Sequence, residues 1–445
     1  MSIKATPTDG LSYSPLDPHY FDPEALKKEL IRGYDICHGC RLCFNLCPSF
    51  PALFDAVDRY DGDVTQLTQA ESDYVIDTCY QCKVCYVKCP YTPDDGHAFQ
   101  LDFPRLLQRA KAIRIKDQGL PWREKLLSNP DLLGRMAGMV PWMANFANRF
   151  MPNRLLMHWF AGIHRRKVLP NFVGQSFQTW FNKNADQYAN SGENGKVFLF
   201  QTCFVNYNNP EVGKAALKVL SKNNVAVDCD YKQCCGMPAL ESGDVEKAQT
   251  MARENIAHLI PYVREGYKVL AINPTCSMMM RKEYPELVGG DDAMALAEAI
   301  MDPNEFLNTL RKDGKLNQDF KSTPGTVHYH VPCHLRAQNI GYRSRDMMQS
   351  IAKGTEVELV AECCGHDGTW AMKSEYFDLS LKYGKKAFDG MTPGKEGCLT
   401  TDCPLAAIQF KQALGVEPMH PLQMLERAYR EDGFATKIEP GDDDQ

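Results

Sequence analysis

Eighteen cysteines in 445 residues are the first chemical signal in this chain. A cytosolic chain of this size rarely holds that many thiols as structural disulfides; they are more often metal ligands. Eight of them fall in two matched runs, Cys37-x2-Cys40-x2-Cys43-x3-Cys47-Pro48 and Cys79-x2-Cys82-x2-Cys85-x3-Cys89-Pro90. This is the spacing of the bacterial ferredoxin motif. The two-residue gaps let three thiolates converge on three irons of one cubane. The fourth cysteine reaches the other cluster, and the proline turns the chain away. The expected ligand sets are Cys37, Cys40, Cys43 and Cys89 for one [4Fe–4S] cluster, and Cys79, Cys82, Cys85 and Cys47 for the second. Two zinc ribbons would use ligands in pairs and leave the third x2-spaced cysteine and the Cys-Pro step without a role.

The remaining cysteines form an internal repeat. One copy holds Cys203, Cys234-Cys235-Gly236 and Cys276; the other holds Cys333, Cys363-Cys364-Gly365 and Cys403. The separations are 31 and 41 residues in the first copy, 30 and 39 in the second. Strand-like runs precede these cysteines at 196–200, 225–228 and 269–272, and again at 326–331, 357–360 and 398–401. Helical patterns lie between them, from Asp244 to Arg264 and from Ser374 to Phe388. Strands alternating with helices imply parallel sheets, whose sites sit at the carboxyl ends of the strands. Each copy should then gather its four cysteines at one sheet edge. The glycine after each cysteine pair lets the backbone pass close to a cluster. A vicinal disulfide at Cys234-Cys235 would be strained and is disfavoured.

Smaller readings stay open. Cys229 and Cys398 each stand five residues before a ligand. They are either extra ligands or small buried strand residues, as free cysteines commonly are. His334 and His366 lie beside ligands and either hydrogen-bond cluster sulfur, relay protons to a quinone, or are ordinary polar residues of the sheet edge. His38 reads as a spacer. Arg41 and Lys88 stand next to ligands and would partly offset cluster charge.

Three stretches resemble the signatures of the Cys-Cys-Gly repeat family: Asn273-Pro-Thr-Cys-Ser-Met-Met-Met-Arg-Lys-Glu-Tyr-Pro-Glu, His330-Val-Pro-Cys-His-Leu-Arg-Ala-Gln-Asn-Ile-Gly and Cys363-Cys-Gly-His-Asp-Gly-Thr-Trp-Ala-Met-Lys. That heterodisulfide-reductase-like family includes heterodisulfide reductase catalytic subunits, iron–sulfur subunits of glycolate and lactate oxidases, and the C subunit of anaerobic glycerol-3-phosphate dehydrogenase. The order here, a two-cluster module and then two repeats, is most similar to the last of these. The resemblance covers roughly residues 30–430. It implies electron transfer beside a flavoprotein dehydrogenase, with no substrate oxidation in this chain itself. One departure matters. The heterodisulfide reductases close each repeat with Cys-x-x-Cys and hold a non-cubane pair of clusters that reduces disulfides. Here Cys276 is followed by Ser277-Met278-Met279 and Cys403 by Pro404-Leu405-Ala406, so the last ligand is missing from both copies. Four ligands suit one ordinary cubane per repeat.

The expectation is an electron-transfer subunit. Electrons would pass between a redox partner, a flavoprotein or similar, and quinone or another acceptor. The alternative is a disulfide-type reductase acting at a repeat-bound cluster; a cluster-bearing sensor is a weaker third. No Gly-rich nucleotide loop follows a strand, so flavin or NAD is not expected in this chain.

Composition bounds the elements that must hold these sites. At about 150 residues per domain, 445 residues suggest roughly three domains. A chain 44% hydrophobic and 24% charged is not disordered or fibrous. No run of 18 apolar residues predicts a membrane span, and Met1 to Pro7 has no apolar signal-like core. A cytoplasmic location is expected. The net charge is −6, yet residues 104–183 hold 14 Lys+Arg against 3 Asp+Glu, and 132–182 hold no acid. Trp122, Trp142, Trp159 and Trp180 lie in this stretch, which Pro141 and Pro152 interrupt. It reads as amphipathic helices in a bilayer surface, giving a peripheral contact on the inner membrane face. Two other readings are a docking face for a redox partner and a connector packed on the ferredoxin module. Nucleic acid is disfavoured because no binding motif accompanies the charge.

The predicted fold is α/β, with a helical two-cluster ferredoxin module and two pseudo-symmetric parallel-sheet Cys-Cys-Gly repeats. The expected order is an N-terminal arm (1–30), the ferredoxin module (31–103), the basic Trp-rich helical segment (104–190), repeat 1 (191–320), repeat 2 (321–432) and an acidic tail (433–445). Asp22-Pro23-Glu24 should cap a helix running to about Arg32.

Overall fold

The structure is a computed structural model that describes residues 13–392 and 397–438. The outermost parts of the N-terminal arm and of the acidic tail, 1–12 and 439–445, lie outside the described residues.

The first candidate ligands ride on a helix. Asp22 accepts hydrogen bonds from the backbone of Glu24 and Ala25, Pro23 opens the first turn, and the helix runs Pro23–Cys40. It continues eight residues past the expected end, because nothing stops it before Arg41. There the backbone turns left-handed (φ 54°) and the Arg41 N–H closes on Cys37 O at 2.8 Å. Cys37 and Cys40 therefore sit three residues apart on one helical face. The spacer forms two further helices, Ser49–Asp58 and Gln69–Thr78, the latter started by a Thr68/Glu71 capping box. Leu53, Phe54, Val57, Val75 and Ile76 from these helices fill the core of the module. The helix Phe103–Gln118 adds Leu106, Leu107 and Ala110 to the same core. It thus packs with the ferredoxin module, although the sequence places the start of the basic segment at residue 104. Its buried Arg109 donates to the carbonyls of His19 and Tyr20 and ties the N-terminal arm down.

Among the described residues nine strands follow: β1 Lys196–Phe200, β2 Ala226–Asp228, β3 Lys268–Ala271, β4 Ile300–Met301, β5 Ser322–Thr323, β6 Thr326–His330, β7 Glu356–Val360, β8 Cys398–Thr401 and β9 Thr436–Lys437. The first parallel sheet has the order β2-β1-β3-β4, the second β7-β6-β8. Their registers correspond. Lys196 pairs with Ala226 and Val197 with Lys268; in the second sheet Thr326 pairs with Glu356 and Val327 with Cys398. Beyond β8, a parallel bridge from Thr400 to Met419 stands where the first sheet has β4. β5 and β9 pair antiparallel, so β9 carries part of the expected tail back onto the body.

The crossover helices are amphipathic. Pro210–Lys222 buries Val212, Ala216, Leu217 and Leu220, and Val245–Arg264 starts from the Asp244 cap. Phe377–Gly390 is the helix expected from Ser374. One hydrophobic core joins Val197, Leu199 and Leu220 of repeat 1 to Val327, Tyr329 and Leu422 of repeat 2. Each such side chain contributes about 1.5–3 kcal/mol when fully buried, so the two sheets stabilise one another.

The basic segment folds as Trp122–Leu127, Pro130–Met139, Pro141–Ala147 and Met151–Phe160, each with proline at or beside its start. One of its arginines is buried while many of its aromatics face out. Arg154 is buried and donates to the carbonyls of His164, Arg165 and Lys167. Meanwhile Trp122, Met139, Trp142, Phe146, Trp159 and Phe160 are 61–77% exposed. Trp180 differs from the other three tryptophans: it packs on the repeat core and stacks with Phe177. Among the described residues no helix is long and apolar enough to cross a membrane.

Candidate metal centres

The two ferredoxin-like runs interleave. One cavity is lined by Cys37, Cys40, Cys43 and Cys89, and Cys85 lines it as well. A second is lined by Cys47, Cys79, Cys82 and Cys85. The fourth cysteine of each run thus stands with the first three of the other. Phe50 and Phe103, stacked 4.8 Å apart, wall both cavities and exclude water from the space between them. Burial pushes the Cys37, Cys47 and Cys85 thiols far up, and neighbouring cysteines push them further. Thiolates packed this closely require a compensating cationic core, which the irons of a cluster supply. The donor set and its dry walls fit that group. His38 faces away from the cavity and pairs with Asp58 at 2.9 Å, alongside Arg41.

Repeat 1 brings its four cysteines together. Cys203 contacts Cys234, Cys234 contacts Cys235, and Cys235 contacts Cys276. They lie just past the carboxyl ends of β1, β2 and β3, as parallel topology requires. Gly236, at φ +91°, makes the turn between the cysteine pair and the helix Met237–Glu241. The backbone around the pair is held from outside. Asn255 donates to Cys234 O at 3.0 Å and Tyr284 to Cys235 O at 2.8 Å. Asp131, from the basic segment, accepts from Cys234 N–H at 2.8 Å and Tyr231 OH at 2.6 Å. Burial, then the neighbouring Cys234, raises the Asp131 carboxyl above the usual range.

Repeat 2 is arranged differently. Cys333, Cys364 and Cys403 line one cavity with His330, His334 and His366. Cys363 contacts Cys333 but turns toward the ferredoxin module, where it lies 3.0 Å from Tyr80 OH. Cys333 in turn contacts Cys82. The thiols of the second ferredoxin cavity and of repeat 2 are therefore contiguous. His366 has no hydrogen-bond partner on either ring nitrogen, and burial followed by Lys167 holds its pKa far down. Lys167 is itself buried, and desolvation lowers it to about 7.

Cys229 and Cys398 are not brought to either site. Cys229 packs in the core with its thiol 3.7 Å from Gln178 Oε1, and its charged neighbours are Asp228 and Asp230. Cys398 lies in β8 with Arg427 as its charged neighbour. The contacts of Tyr80 and Asp131 do not follow from the sequence reading. Tyr80 directly follows a ligand, which is a signal of sorts; Asp131 stands a hundred residues from the thiols it serves and has none.

Interleaved cysteine runs on a helical module, joined to two cysteine-bearing parallel sheets, define an iron–sulfur protein of the electron-transfer class. Residues 197–281 and 327–411 match the cysteine-rich domain family, and residues 31–119 match the citrate utilization protein B Fer4-like domain. Each repeat is thus a cysteine-rich domain, and the chain as a whole is similar to iron–sulfur proteins that carry it. It is 29% identical over 325 residues to the C subunit of anaerobic glycerol-3-phosphate dehydrogenase from Escherichia coli, covering 73% of this chain and 81% of that one. It is 28% identical over 281 residues to the B subunit of fumarate reductase (CoM/CoB) from Methanothermobacter marburgensis, covering 60% of this chain and 54% of that one. Lactate utilization protein A of Bacillus thuringiensis is 28% identical over 214 residues, 47% of this chain and 87% of its own.

Proposed function

We propose that this chain is the electron-relay subunit of an oxidoreductase complex. In this reading it holds two [4Fe–4S] clusters on crossed ligands in the ferredoxin module and one cubane in each repeat. Its redox partner is a flavoprotein dehydrogenase, and its acceptor is quinone or a comparable carrier. Bound clusters supply one-electron carriers; the chain's own work is to hold, insulate and space them. The observation that carries this reading is the contact of Cys82 with Cys333, and of Tyr80 with Cys363, which joins the ferredoxin module to repeat 2 without intervening solvent. The donor count supports a relay over the disulfide-type reductase, since Met279 and Ala406 stand where a fifth thiolate is needed. The fully loaded protein should carry about sixteen irons, four per cubane. Iron and labile sulfide analysis with EPR of the reduced protein tests this. Non-cubane signals, or turnover of a disulfide substrate, would favour the reductase.

The exposed aromatic face of the basic segment supports a peripheral contact with an anionic membrane surface on the cytoplasmic side. Arg135, Arg149, Arg165 and Arg166 are exposed on the same segment, and no acid occurs from 132 to 182. Tryptophan at the headgroup level with arginine beside it is the composition of an interfacial helix.

A further inference from the structure

Where the ferredoxin module meets both repeats there is a polar cavity that borders Cys79, and His334 reaches it from the adjoining cavity of Cys333, Cys364 and Cys403, which shares Asp367. The wall of the polar cavity takes Gln81 from the ferredoxin module, Ser128 from the basic segment, Glu241 from repeat 1 and Asp367 from repeat 2. Ligand atoms of Glu241, His334 and Asp367 lie within 4.8 Å of one another. His334 is 4% exposed and Asp367 8%. His334 Nδ1 is 2.9 Å from Thr275 Oγ1, and its Nε2 faces Asp367 Oδ2 and Gln81 O, each at 3.3 Å.

The oxygens here are under-satisfied. Glu241 Oε1 and Ser128 Oγ are buried without a hydrogen bond, Asp367 Oδ2 has only the His334 ring at 3.3 Å, and Ser128 is only 5% exposed. Two carboxylates converging in a desolvated site repel one another, and a buried ionised group without compensation is costly. The nearby ammonium groups have other partners: Lys111 donates to Cys79 O at 2.9 Å, and Lys373 pairs with Glu124 at 2.9 Å. A dication would balance both carboxylates and occupy the orphaned lone pairs together.

We propose that Glu241, His334 and Asp367 bind a divalent transition-metal ion, of the Zn2+, Mn2+ or Fe2+ class, separate from the iron–sulfur clusters. One imidazole nitrogen with two carboxylate oxygens is a donor set for such borderline ions. The Thr275 hydroxyl on Nδ1 fixes the ring with Nε2 toward the ion, the outer-sphere support that metal-bound histidines usually have. Glu241 follows the Cys-Cys-Gly of repeat 1, and Asp367 follows that of repeat 2. The ion therefore fastens the two repeats together beside Cys79 of the ferredoxin module.

The test uses the full, cluster-loaded chain, chelator-treated, held oxidised and titrated with Mn2+. One Mn2+ per chain should bind, by EPR and elemental analysis, and Zn2+ should displace it. On reduction, the bound Mn2+ should broaden the EPR signal of the nearest cluster. Glu241→Gln and Asp367→Asn should each weaken Mn2+ binding at least about ten-fold with iron content unchanged. If the wild-type chain binds neither Mn2+ nor Zn2+ stoichiometrically, the carboxylates share a proton or water instead and the proposal fails. It fails equally if Mn2+ binds without broadening any cluster signal, or binds both variants as tightly as wild type. The Mn2+ count needs no particular cluster type, so its failure is distinguishable from failure of the relay reading.

Discussion

Cys47 belongs by sequence to the first cysteine run and by position to the second cavity, with Cys79, Cys82 and Cys85. Cys47→Ser should therefore damage the cluster of the second run and spare the one on Cys37, Cys40, Cys43 and Cys89. EPR of the reduced variant reads this directly, and loss of the Cys37 signal alone would overturn the crossed assignment. Cys229 and Cys398 make the opposite prediction. Each packs among core side chains away from the ligand cysteines, so Cys229→Ala and Cys398→Ala should leave iron and labile sulfide per chain unchanged. The thermal midpoint should fall slightly, since a small buried side chain is trimmed. A drop of several irons in either variant would make that cysteine a ligand. At this scale the candidate ligand thiols were legible because cluster spacing is written in adjacent residues. The Tyr80 and Asp131 contacts were not, because each depends on elements distant in sequence.

The two Cys-Cys-Gly turns look equivalent in sequence and are not equivalent in space. Gly236 has φ +91°, and a Cβ there would meet Met251 Cβ at 3.4 Å, an ordinary contact. Gly365 has φ +70°, and a Cβ there would stand 2.0 Å from Ser380 O. Gly236→Ala should cost about 1–2 kcal/mol, the left-handed backbone penalty alone. Gly365→Ala adds a backbone clash, worth a further 1–3 kcal/mol or so by the measure of overpacked cores. Chemical unfolding of the cluster-loaded variants should rank them in that order; equal losses would show that Ser380 moves aside freely. The strands and their crossover helices were readable from periodicity and turn residues. The length of the helix Pro23–Cys40 was not, since it is stopped by a left-handed arginine and not by the glycine or proline that usually marks an end.

Across the whole molecule, the ferredoxin module, the repeats and the basic segment form one interlocked body. The basic segment lays Asp131 against repeat 1 and stacks His164 on Phe377 of repeat 2 at 3.9 Å, while three of its tryptophans point outward. Flotation with anionic liposomes at low salt should carry the chain. Trp142→Ala combined with Trp159→Ala should weaken that binding about a hundred-fold or more, because each buried aromatic contributes about 1.5–3 kcal/mol. Added salt should weaken it further, at about 1 kcal/mol for each arginine near the surface. Binding unchanged by the double substitution would remove the membrane reading. The family resemblance, the α/β class and the candidate ligand thiols were legible in the sequence alone, since metal-ligand spacing and strand–helix alternation are local patterns. Only the tertiary structure decided that Cys363 faces Tyr80, that Trp180 packs inward while three other tryptophans do not, and that Glu241, His334 and Asp367 converge. Those outcomes depend on how three modules pack across shared surfaces, and no local spacing encodes such distances.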